Sequence, residues 1–113
     1  LACSVANASI SLLLSKDWVA DIARIEKQLR DGLSVLRDRQ GVVDVRVLGA
    51  IGVVELAAAV DIKKIQPMFV EKGIWVRPFG TLVYIMPPYI IDRDCLHLLI
   101  QKLTEVIEEY LYE

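Results

Sequence analysis

The chain has 113 residues and a formal net charge of −2, which suits one domain and excludes the basic footprint of a nucleic-acid binder or an anionic-membrane binder. Cys3, Cys95 and His97 stand at no zinc-ligand spacing, so a metal site is excluded and both thiols are expected to be buried and free. No apolar run approaches the roughly 20 residues of a membrane span and no basic segment precedes the N-terminal apolar stretch, so neither a span nor a signal peptide is expected, and a cytoplasmic protein is.

The chain opens on Leu1 inside a helical pattern and its first methionine is Met68, from which a fragment of a longer protein is expected. Leu1 to about Leu14 mixes Ala2, Ala6, Ala8 and Ser9 with larger apolar residues, a helix whose small side chains permit close packing. Asp17 offers an N-cap for a second helix, with Ile22, Ile25, Leu29, Leu33 and Leu36 at spacings of three and four. Glu26 and Arg30 form a weak pair one turn apart on its polar face.

After Gly41 the period changes to two. Val43, Val45 and Val47 alternate with Asp44, Arg46 and Leu48 as a half-buried strand, and Ile51 to Leu56 follows as a second. Asp61 caps a short helix that Gly73 stops, with Pro67 predicting a kink or a late start. Ile74 to Arg77 and Leu82 to Met86 read as two strands around a turn at Pro78-Phe79-Gly80-Thr81. Pro87-Pro88 ends pairing, and Asp92 caps a last helix with Leu96, Leu99, Leu103, Ile107 and Leu111 on its apolar face.

The order ααββαββα predicts an α+β domain over residues 1–113, with an antiparallel or mixed sheet of about four strands and helices on one face. A chain this long can hide roughly two thirds of its unfolded surface, enough to fold without disulfides or metal. Its apolar share exceeds the roughly 45–50% of soluble domains, which a rich core would explain and a face meant for another domain or subunit explains better.

Gly49-Ala50-Ile51-Gly52 lacks a third glycine and joins two strands instead of opening a helix, so it reads as a tight connection or bulge, not a nucleotide site. No serine or cysteine stands in a nucleophile motif, and His97 reads as a surface or boundary residue of the last helix. Between Gly73 and Tyr89 the only charge is Arg77. A guanidinium in so apolar a stretch is costly to bury unless it meets an anion. Its fork suits a carboxylate, with Phe79 and Tyr84 as walls and a hydroxyl beside it; an acid of the same domain would serve equally.

That stretch, together with Val45 to Glu55 and the opening Leu1 to Ser9, resembles the C-terminal part of the adenosylmethionine-8-amino-7-oxononanoate aminotransferase family, class III pyridoxal-phosphate enzymes of biotin synthesis. Class III aminotransferases share the Arg-x-x-Gly-x-x-Gly-x-x-Glu pattern found at Arg46, Gly49, Gly52 and Glu55, and Trp75 to Tyr89 is the part more specific to the biotin enzymes. The resemblance implies a fold-type I homodimer that moves an amino group from S-adenosylmethionine to 8-amino-7-oxononanoate, giving 7,8-diaminononanoate. It also implies that Arg77 holds the substrate carboxylate, that Tyr84 lines the same pocket and that Phe79 lies nearby. Thr81 departs from the pattern, which has lysine there.

The family's cofactor lysine, its aspartate facing the pyridine nitrogen and its phosphate-binding threonine belong to the region before Leu1. None of Lys16, Lys27, Lys63, Lys64, Lys72 or Lys102 lies in the cofactor-lysine motif. The resemblance therefore implies a C-terminal small domain with no catalytic or cofactor-binding residue of its own, no bound pyridoxal phosphate, a partner in the cofactor-binding domain of the parent chain, and no turnover alone. The contrasting expectation is a free-standing regulatory module that binds an amino acid or other carboxylate through Arg77.

Overall fold

The structure, a computed structural model, describes residues 1–112. Its elements are α1 (Ala2–Leu14), α2 (Trp18–Leu33), a 3-10 turn (Ser34–Leu36), β1 (Val42–Leu48), β2 (Ile51–Leu56), α3 (Ile62–Glu71), β3 (Leu82–Ile85) and α4 (Arg93–Tyr112). The sheet is antiparallel with order β1-β2-β3. An α+β fold is thus observed with three strands in place of about four.

Local chemistry starts each helix of the core. Asp17 accepts from the Ala20 N–H at 3.1 Å, Asp61 from Lys63 at 3.0 Å and Asp92 from Cys95 at 2.7 Å, each satisfying a donor that a helix start leaves unpaired. Pro67 lies inside α3, which nonetheless begins directly after Asp61, so no late start occurs. Gly73, at φ 81°, turns the chain out of α3, and the Ile74 N–H returns to the Phe69 carbonyl at 3.0 Å.

Register sorts the strand residues between two faces. Val45, Val54 and Val83 stand side by side on the buried face, whereas Arg46, Val53 and Tyr84 form the neighbouring row on the open one. A bulge between Val42 and Asp44 sets this register, so Val43 is exposed and does not join the buried row as the alternation predicts. α2 lies on the buried face: a Cβ on Gly52 would stand 2.8 Å from Leu33 and 3.3 Å from Leu29. α4 packs on α2, and α3 on α4.

The fully buried side chains include Ile25, Leu29, Phe69, Val54 and Leu103. On α4 the buried stripe is Leu96, Ile100, Leu103, Val106 and Ile107; Leu99 and Leu111, expected in it, are half-buried. α1 buries none of its residues. Among the described residues no helix is long and apolar enough to cross a membrane, and no three His, Cys, Asp or Glu side chains are grouped to hold a metal ion.

The predicted strand Ile74–Arg77 is not a strand. Its side chains alternate as in one, Val76 being buried at 3% exposure beside an exposed Trp75, but the ladder bonds are missing. Only Phe79 and Leu82 bridge, exchanging two 2.8 Å hydrogen bonds around Gly80-Thr81, and Pro78, with no N–H to donate, ends the pairing there. The cysteines are a second correction, since both are exposed. Cys3 belongs to a helix that buries nothing, and Cys95 lies on the outer side of the first turn of α4, where Asp92 accepts its hydrogen bond and holds the thiol above its ordinary pKa.

Asp92 itself is held below the usual carboxylate range, chiefly by the backbone N–H of Cys95. A depressed folded-state pKa contributes stability that is full above the unfolded value near 3.8 and is lost as pH falls through the lower folded value. Asp92→Asn keeps a cap acceptor without the titration. Its stability from urea titration is therefore expected to fall less than that of the parent protein as pH is lowered from 5 towards 2.

Candidate functional site

The extended segment from Ile74 to Pro78 leaves α3, crosses the surface and meets β3 through the Gly80-Thr81 turn. A cleft of about 410 Å³ opens along it, with walls that include Trp75, Arg77, Tyr84, Met86, Pro87 and Pro88. Tyr84 stands on the open face of β3, 39% exposed. Phe79 is 73% exposed and lies outside the walls of this cleft. Of the three residues singled out, the fold therefore brings Arg77 and Tyr84 together and leaves Phe79 beyond the edge.

Arg77 is exposed, so its charge stays hydrated, while Val76 and Pro78 of its segment are buried and Ile74 packs partly against the core. Its guanidinium carbon lies 5.9 Å from the centre of the Trp75 ring, within cation–π range. Among the described residues it forms no ion pair, so no acid of the same domain satisfies it. The other exposed guanidinium of this surface behaves differently. Arg46 lies 2.6 Å from Glu55 and 3.0 Å from Asp44, and those bonds hold it more firmly protonated and Asp44 below its usual range.

The same contacts explain the Arg46, Gly49, Gly52, Glu55 pattern as a hairpin device. The ion pair links β1 to β2 on the open face, Gly49 supplies φ 56° in the turn, and Gly52 lets α2 approach the buried face. The Gly49 N–H is further tied to the Glu26 carboxylate on α2.

A second cleft, about 320 Å³, lies on the α3 side of the same segment and is lined by Ile62, Gln66, Trp75, Arg77 and Pro78. Gln66 went unnoticed in the sequence, where an amide on a helix carries no signal. A larger groove of about 600 Å³ between α2 and α4 contains His97, Asp31 and Arg93 but shares no residue with either cleft. Its charges are of both signs, so it lacks the single unanswered charge that marks the Arg77 region.

A family model described as aminotransferase class-III matches residues 1–107. The chain belongs to the class-III aminotransferase family. It is 50% identical over 111 residues to the adenosylmethionine-8-amino-7-oxononanoate aminotransferase of Buchnera aphidicola subsp. Schizaphis graminum, a match covering 98% of this chain and 25% of that protein. The solved enzyme of that name from Methanocaldococcus jannaschii superposes with TM-score 0.81 at 26% identity, covering 96% of this chain and 27% of that one. The ornithine aminotransferase from Toxoplasma gondii shares the fold, with TM-score 0.86 at 21% identity over 98% of this chain and 27% of that one. The chain thus spans about a quarter of the length of the relatives it matches.

Class-III membership brings pyridoxal phosphate as the family cofactor. The walls of the Arg77 cleft do not fit it, because no lysine, aspartate or threonine lines them. Two lysines at the α3–α4 contact are engaged elsewhere: Lys72 lies 3.5 Å from both Glu109 and Glu105, which raise its pKa, and Lys102 donates to the Lys72 carbonyl at 2.6 Å. The one charged side chain among those walls is the Arg77 guanidinium, and Tyr84 lines the same cleft.

Proposed function

We propose that residues 1–113 form the C-terminal small domain of a transaminase that moves an amino group from S-adenosylmethionine to 8-amino-7-oxononanoate in biotin synthesis. Arg77 is the anchor for the substrate carboxylate and Tyr84 a wall of the same cleft, while Phe79, outside those walls, is left without a direct contact. The observation that carries this reading is the unanswered guanidinium of Arg77 at the open cleft. The 50%-identical relative is named for both substrates, which supports this choice of them.

In this reading the chemistry belongs to pyridoxal phosphate, held by residues of the parent chain outside these 113, in a cytoplasmic homodimer. The domain's share is positioning: fixing the acid end of a long substrate places its reacting carbon at a set distance from Arg77. The full-length chain supplied with pyridoxal phosphate and S-adenosylmethionine is expected to aminate 8-amino-7-oxononanoate, and the 113-residue piece under the same conditions is not. Absence of turnover by the full-length chain, or turnover by the piece, would overturn the assignment.

A further inference from the structure

We propose that Gln66 is a second donor to the substrate carboxylate, acting with Arg77 from the α3 side. The proposal rests on the function assigned above and deepens it. Its first support is an unmet hydrogen bond: the Gln66 side-chain nitrogen is buried and has no partner, and no other hydrogen bond of this amide exists among the described residues. Buried amides are rarely left so, and those that are call for a missing partner. Its second support is place. Ile62 and Gln66 stand one turn apart on α3 and line one cleft with Trp75, Arg77 and Pro78.

Arg77 therefore belongs to two clefts, with Tyr84 at one and Gln66 at the other. A carboxylate has two oxygens and several lone pairs, so it can take the guanidinium and an amide N–H together. The chemistry of the side chain is apt for this. A glutamate in the same cleft would pair with Arg77 and cancel its charge, whereas a glutamine leaves the cation available and still offers N–H groups. A monoanionic carboxylate balances one guanidinium, while a phosphate dianion would require a second cation that neither cleft contains.

Both proposed substrates carry a carboxylate, and the test separates them. In the full-length chain, Gln66→Leu and Gln66→Glu are compared with the parent by steady-state kinetics, with S-adenosylmethionine, 8-amino-7-oxononanoate and the methyl ester of the latter varied in turn. Gln66→Leu is expected to raise KM for the acid about tenfold with kcat unchanged, the loss of one hydrogen bond to a charged group. The ester, which has no charge to hold, should be unaffected. Gln66→Glu should raise KM for the acid further, about 100-fold, by neutralising Arg77. A rise confined to S-adenosylmethionine would move the contact to the donor's carboxylate and overturn the acceptor assignment.

Equal losses on acid and ester, or no loss on either, would sink the proposal. Tm guards against misfolding, since removing an unpaired buried amide should leave Tm level or higher; a lowered Tm with equal losses assigns Gln66 a structural role only. If the parent chain turns over neither acid nor ester, the function assigned above fails on its own. Calorimetric titration with nonanoate then still decides the site, because Gln66→Leu must weaken nonanoate binding about tenfold if both groups hold a carboxylate.

Discussion

Replacing Arg77 by alanine in the full-length chain is expected to raise KM for 8-amino-7-oxononanoate by about 100-fold, the usual scale for removing one partner of a close charge pair. The methyl ester should lose far less, because the guanidinium answers the charge and not the alkyl chain. Arg77→Lys is expected to recover only part of the loss: an ammonium keeps the charge but not the planar fork. Stability should hardly move in either variant, since Arg77 is exposed and its contact within the domain is with the Trp75 ring. Steady-state kinetics on acid and ester, with urea midpoints alongside, check all of this. An acid and an ester equally affected would mean that Arg77 shapes the surface and does not bind the anion.

Phe69→Ala is expected to be the most damaging core change. Phe69 is fully buried on α3, and its ring is among the largest enclosed side chains. Truncating such a ring costs about 3–5 kcal/mol, against a total stability of roughly 5–15 kcal/mol for a domain. Val70→Ala, one residue on and exposed, should stay within about 0.5 kcal/mol. Urea unfolding of the two variants measures the contrast. The effect should also reach the clefts, because the Phe69 carbonyl receives the Ile74 N–H where the Arg77 segment leaves α3.

What could be read from the sequence was what is decided locally. Asp17, Asp61 and Asp92 marked helix starts because a carboxylate two or three residues before a free N–H is a local device, and each makes that bond. The β1–β2 hairpin was legible because its period of two and its glycines lie within 15 residues. The segment from Ile74 to Arg77 has the same period, but a strand needs a hydrogen-bonded neighbour, and alternation cannot tell whether one arrives. The bulge at Val43 and the burial of Ile100 and Val106 likewise depend on what packs opposite them.

The site divides in the same way. Arg77 stood out as the only charge between Gly73 and Tyr89, and Tyr84 as a hydroxyl close to it in sequence, a reading that the family resemblance shares. The apolar stretch around Arg77 does not make an apolar environment, because alternate residues face outward. Gln66 could not have been found, since its interest arises only when α3 lies against the Trp75–Pro78 segment and leaves an amide without a partner.

α1 runs for 13 residues without burying any of them, although Val5, Ile10, Leu12 and Leu14 are apolar. A helix so short is marginal in water on its backbone bonds alone. Melting of this polypeptide is therefore not one event. Helicity lost from its first 14 residues reports a local coil equilibrium, whereas collapse of the valine and leucine interior reports the domain, and a single midpoint would average two quantities that no shared packing obliges to agree.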